Sequence, residues 1–157
     1  MVCISYLPIP KMVPLMEFLS LRGFSVYDWI VFGLVLLALE GNKKISIIHA
    51  ILAAGITGLL THAIKTLTEI PRPYDGYRCP SDFTFPSMHA SIAFALAGVY
   101  AYHHPRLAPA AYALALLVSY SRIFLRCHYG IDVVMGALLG FIVASLIVRI
   151  YRPGKLA

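Results

Sequence analysis

Residues 45–67 read ISIIHAILAAGITGLLTHAIKTL, an apolar run that carries Lys65 in its last turn. A helix of this length and composition can span a bilayer. The stretch from Glu69 to Phe85 is polar, aromatic and broken by Pro71, Pro73, Gly76 and Pro80, so it reads as a loop. Further helices are expected at Ser87 to His103, at Leu107 to Leu125 and at Tyr129 to Tyr151, the last ended by Pro153 and Gly154. Upstream, Tyr27 to Glu40 makes a thin first span, followed by the turn Glu40-Gly41-Asn42-Lys43-Lys44. Met12 to Leu21 reads as a short interfacial segment; residues 1–25, with Pro8, Pro10, Pro14, Glu17 and Gly23, resemble neither a signal peptide nor a full span. The expected fold is all-α: a polytopic membrane helical bundle of about five transmembrane helices plus the N-terminal interfacial segment. Short connections predict antiparallel neighbours, with residues 1–157 forming a single membrane-embedded domain.

Composition agrees. The chain is 60% hydrophobic and 13% charged, against roughly 25% charge in soluble proteins. A soluble domain this small could not hide so much apolar surface, whereas helices facing the lipid bilayer need not. The net charge of +6 fits loops against anionic lipid and a basic pocket for phosphates. Nucleic acid is excluded as a partner, because no basic amphipathic stripe or stacking platform accompanies the charge. Small residues recur at Gly55 and Gly58, Ala95 and Gly98, and Gly136 and Gly140, spacings that permit close helix packing.

Three polar clusters interrupt the apolar pattern: Lys65 with Arg72-Pro73, Pro86-Ser87-Met88-His89, and Ser121-Arg122 with His128 and Asp132. Ionisable groups near hydrocarbon are costly and point to function. Alternating helices bring all three clusters to one end of the bundle. Lys65 and Arg72 can reach inward around an anion there. Ser87 is a favoured N-cap at a helix start, where free amides attract anions. His128 and Asp132 share a helix face, so Asp132 can accept from one ring nitrogen and leave the other for substrate. An oriented imidazole beside a carboxylate is a nucleophile or base.

The side of the membrane follows from flanking cations. With Lys65, Arg72 and Arg122 set aside as phosphate ligands, Lys11, Arg22, Arg78 and Arg126 share the motif side. Lys43, Lys44, Arg106, Arg149, Arg152 and Lys155 lie opposite. The positive-inside rule then turns the clusters to the extracytoplasmic side of the cell membrane; counting the three ligands reverses the bias.

With Lys65-x6-Arg72-Pro73, Pro86-Ser87-Met88-His89 and Ser121-Arg122-x5-His128-x3-Asp132 in order, the chain resembles the type 2 phosphatidic acid phosphatase (PAP2) superfamily, in its membrane-embedded lipid phosphatase branch. The resemblance implies that His128 becomes phosphorylated, that Asp132 orients it, and that His89 protonates the leaving group. Lys65, Arg72 and Arg122 would grip phosphate, with a hydroxyl or amide from Ser87. Two departures stand out. Met88 occupies a position that is glycine in the family pattern, and five spans replace the family's six-helix bundle.

The expected reaction is hydrolysis of a membrane lipid phosphate or diphosphate, with polyprenyl diphosphate the first choice. Phosphatidylglycerol phosphate or phosphatidic acid is the alternative. An inert membrane channel or packing protein is the reading from another class. No cofactor and no metal are required by this arrangement. Zinc on His62, His89 and His128 would be crowded by cations. His49, His62, His103 and His104 read as interfacial or packing residues. Arg78 and Arg126 read equally as diphosphate contacts or surface charge. Cys79 and Cys127 share the motif side and are expected as two packing thiols, with a disulfide the alternative. Oligomeric state is left open.

Overall fold

The computed structural model describes residues 9–20 and 43–150. The expected first span, Tyr27 to Glu40, lies outside the described residues. A 3₁₀ turn at Pro10–Met12 leads into α1 (Val13–Ser20), followed in the described chain by α2 (Lys43–Thr68), α3 (Met88–His103), α4 (Ala108–Phe124) and α5 (Gly130–Ile150). A second 3₁₀ turn, Pro105–Leu107, joins α3 to α4. Every described element is helical, within a residue or two of the expected boundaries.

Among the described residues, three helical segments are long and apolar enough to cross a membrane: Ile45–Thr68, Pro105–Phe124 and Gly130–Ile150. Their outer faces carry exposed aliphatic side chains, such as Leu59 on α2, Leu116 on α4 and Val134 on α5. The third expected span, Ser87 to His103, differs. Helix α3 has 16 residues, about 24 Å at the usual helical rise, and it packs against α2, α4 and α5. Its buried residues include Ala90, Ala93, Ala95 and Ala97, so neighbouring backbones approach closely. Small residues are how membrane helices gain packing contact when lipid is as apolar as their own side chains.

Helix α5 shows the closest approach. A Cβ on Gly136 would lie 2.7 Å from the Ser87 carbonyl oxygen, and one on Gly140 would meet the Ser91 carbonyl and the Ala95 amide nitrogen. Only hydrogen fits there. The Gly55 and Gly58 pair on α2 meets nothing within 4 Å among the described residues.

At the motif end, α1 lies on α4. Val13, Met16 and Leu19 are buried with Phe124, Leu125 and Cys127, while Leu15 and Phe18 are exposed, the amphipathic pattern expected of an interfacial helix. Cys79 and Cys127 form a disulfide, which corrects the expectation of two packing thiols. The Tyr77 amide also donates to the Leu125 carbonyl at 2.9 Å. The loop after α2 folds back on the α4–α5 turn and so brings the two cysteines together.

Candidate active site

Helix α2 ends at Thr68, where Glu69 adopts a left-handed φ of 49° and its amide caps the Lys65 carbonyl at 3.0 Å. That ending sets Lys65 in the last turn, facing the loop. Its side chain is buried; Nζ donates to the Phe83 carbonyl and stands 3.3 Å from Oδ2 of Asp82. Arg72 follows in the loop. It donates from Nε to the Asp82 carbonyl at 2.8 Å and from NH2 to Asp82 Oδ1 at 2.6 Å. Its NH1 reaches the Cys127 carbonyl at 2.7 Å and Nε2 of His128 at 2.9 Å. One carboxylate is thus held by two cations, one oxygen each. Burial raises the Asp82 pKa, but the Arg72 hydrogen bond and charge, reinforced by Lys65, outweigh it and hold the carboxyl below its usual range.

Ser87 precedes α3 at the N-cap position, yet its side chain makes no capping bond. Its amide donates to the Asp132 carbonyl at 3.0 Å. That amide is therefore committed to joining α3 and α5, a correction to its expected availability for an anion. The hydroxyl is wholly buried and makes no hydrogen bond among the described residues. Met88 opens α3 and does not take the positive φ for which glycine is suited. His89 lies in the first turn of α3, half-buried, with the Ser20 backbone as a hydrogen-bond partner.

Arg122 is buried in the last turn of α4. Its NH1 donates to the Ser20 carbonyl at 3.2 Å and to the Ser20 hydroxyl. The end of α1 therefore touches both Arg122 and His89. His128 occupies the turn between α4 and α5, and Asp132 the first turn of α5; both are buried. Nδ1 of His128 is 3.5 Å from Asp132 Oδ2, beyond ordinary N–H···O hydrogen-bond length. Thr84 Oγ1 stands between them, 3.1 Å from Nδ1 and 2.5 Å from Oδ2. Burial pushes the imidazole pKa down to about 4; Asp132 opposes this, and Arg72, Arg122 and Lys65 add to it. A neutral ring results, with its Nε2 lone pair turned to Arg72 NH1.

All three sequence clusters therefore meet at one end of the bundle. Three contributors had no sequence signal: Thr84, Asp82 and Ser20 belong to no charged cluster and carry ordinary loop or helix-end side chains. Arg78 and Arg126, read as diphosphate contacts or surface charge, form ion pairs with Glu17 and Asp75. His62 is exposed on α2. Among the described residues no three His, Cys, Asp or Glu side chains could together hold a metal.

A helical bundle with lipid-ready outer faces and a buried histidine–cation site at one end defines a polytopic membrane protein of the PAP2 type. Residues 46–155 match the model of the PAP2 superfamily, and the chain belongs to that family. It is 29% identical to an undecaprenyl-diphosphatase of Sulfolobus acidocaldarius, across 98% of this chain and 77% of that protein. An undecaprenyl-diphosphatase of Bacillus subtilis is 29% identical across 78% of this chain and 69% of its own length. The fold is similar to the crystal structure of the first transmembrane PAP2-type phosphatidylglycerolphosphate phosphatase from Bacillus subtilis. The TM-score is 0.67 at 23% identity, covering 91% of this chain and 78% of the other. The protein is an integral membrane protein.

Proposed function

We propose that this protein is a lipid phosphatase that hydrolyses a polyprenyl diphosphate through a phosphohistidine at His128. One observation carries the reading: Nε2 of His128 faces Arg72 NH1 at 2.9 Å, beside the site where Lys65 and Arg72 grip the Asp82 carboxylate. A nucleophile beside a two-cation clamp for oxygen anions suits attack on phosphorus. In the first step Nε2 attacks the terminal phosphorus in line, and the bond from that phosphorus to the bridging oxygen breaks, so the lipid monophosphate departs. His89 donates a proton to the departing oxygen. In the second step His89 takes a proton from water, which attacks phosphorus and breaks the N–P bond. Lys65, Arg72 and Arg122 stabilise the equatorial oxygens, and the Ser87 hydroxyl adds a donor. One such preorganised donor commonly contributes about 3 kcal/mol. Asp82 must release the two cations when phosphate arrives.

The names of two relatives support a polyprenyl diphosphate. Phosphatidylglycerol phosphate is the second reading, favoured by the name of the structural neighbour; phosphatidic acid is tested with it. The site is assigned to the extracytoplasmic side of the cell membrane. The cation count and the Cys79–Cys127 disulfide support that side, since disulfides persist in oxidising compartments.

The test is phosphate release by detergent-purified protein from undecaprenyl diphosphate, phosphatidylglycerol phosphate and phosphatidic acid, with and without excess EDTA. The expected result is fastest release from the diphosphate, unaffected by EDTA, and loss of both release and phosphoenzyme in His128→Ala. A normal phosphohistidine yield in that variant overturns the nucleophile. Activity that needs an added divalent ion overturns the metal-free mechanism.

A further inference from the structure

We propose that Thr84 is a positioning residue for this reaction: its hydroxyl couples the Asp132 carboxylate to Nδ1 of His128 and keeps the Nε2 lone pair aimed at phosphorus. The inference rests on His128 being the nucleophile.

The donors and acceptors fix every proton. A guanidinium has donors only, so Nε2 of His128, 2.9 Å from Arg72 NH1, must accept. A neutral imidazole that accepts at Nε2 carries its proton on Nδ1. That N–H has two oxygens nearby. Thr84 Oγ1, at 3.1 Å, lies within hydrogen-bond length; Asp132 Oδ2, at 3.5 Å, lies outside it. Thr84 therefore accepts from the ring, and its own proton goes to Asp132 Oδ2 at 2.5 Å. Asp132 is steadied in turn by the Tyr129 amide, 2.8 Å from the same oxygen. The chain runs carboxylate, hydroxyl, imidazole, guanidinium, with one direction of donation at each link.

Thr84 is built to hold this place. It is wholly buried, so water does not compete for its hydroxyl. Its amide donates to the Ile70 carbonyl at 2.8 Å, and its carbonyl lies 3.5 Å from Lys65 Nζ. Its backbone is thereby tied through the amide to Ile70, just beyond the end of α2. A β-branched side chain has restricted χ1 freedom, which limits swinging of the hydroxyl. Serine keeps the hydroxyl but loses this restriction; valine keeps the shape but loses the hydroxyl.

Single-turnover phosphoenzyme formation and ¹⁵N NMR of the His128 ring, assigned through His128→Gln, test the proposal in the full-length protein. Thr84→Val is expected to slow phosphoenzyme formation on the order of 10²-fold, less than the ~10⁴-fold loss that follows when an imidazole loses its orienting acid. Its ring should no longer be held in the Nδ1–H tautomer. Thr84→Ser should recover at least about 10-fold of the lost rate, with the tautomer restored. Added to Asp132→Asn, Thr84→Val should cost less than about threefold more, because coupled residues are not additive. A Thr84→Val protein that forms phosphoenzyme within about threefold of the parent rate overturns the proposal. An Nε2–H tautomer in the unaltered protein also overturns it, even where the valine variant does not fold. Phosphoenzyme in His128→Ala would instead overturn the parent reading.

Discussion

Two histidine sites lie at opposite ends of this bundle and differ in their neighbours. At the motif end, His128 has a guanidinium on one nitrogen and a hydroxyl backed by a carboxylate on the other. At the far end, about 24 Å along α2 from Lys65 by helical rise, His49 is 2% exposed. It meets His103 nitrogen to nitrogen at 3.0 Å and lies edge-on to Tyr102. Two imidazoles facing each other can exchange donor and acceptor roles, so this contact selects neither tautomer. Arg72 and Thr84 remove that freedom from His128. Burial alone does not fix the orientation of a histidine ring; directional partners do.

The sharpest way to break the contrast is at Arg72. Arg72→Lys keeps the charge but loses the fork that joins Asp82, the Cys127 carbonyl and His128. The expected fall in kcat/KM is about 10²–10³-fold, as for loss of an oxyanion donor. A loss below tenfold, measured on folded protein, would mean that charge rather than directed donation organises this end.

The pH profile offers the next largest effect. The lowered pKa, about 4, keeps His128 neutral and its lone pair available as pH falls to that value. Between pH 7 and 5, the neutral fraction of the His128 ring, read by ¹⁵N NMR, should fall less than about threefold, whereas an ordinary imidazole of pKa 6.5 would lose roughly 25-fold. An acid limb centred near pH 6.5 would place the ring in water-like surroundings.

Asp82→Asn sharpens the comparison from the other direction. Removing the carboxylate frees Lys65 and Arg72 for phosphate, so KM should drop by about three- to tenfold, a change of roughly 1 kcal/mol. Substrate titrations measure it. A raised KM would make Asp82 an organiser of the clamp, not a competitor for it.

The smallest effect belongs to the far end. His49→Ala should leave phosphoenzyme formation within about twofold of the parent and lower thermal stability by roughly 1 kcal/mol, the scale of one lost hydrogen bond. Parallel melting curves and single-turnover assays check both. A catalytic loss as large as that of Arg72→Lys would erase the distinction between the ends.

The sequence by itself determined the helices and the chemical kit. Apolar length marked α2, α4 and α5, and proline and glycine marked the loop after α2. Lys65, Arg72, His89, Arg122, His128 and Asp132 were legible because ionisable side chains are costly beside apolar segments. Only the tertiary structure decided how those groups are wired. Thr84 meets His128 and Asp132 across 44 and 48 residues, and Ser20 meets Arg122 across 102. Asp82 enters the Lys65–Arg72 clamp from the loop, Cys79 finds Cys127, and the Ser87 amide goes to the Asp132 carbonyl. A hydroxyl, a loop carboxylate or a backbone amide has no distinguishing cost in the sequence. Hydrogen bonds depend on ångström-scale distance and direction, which exist only once α3 and α5 have packed together and the loop has closed against the α4–α5 turn.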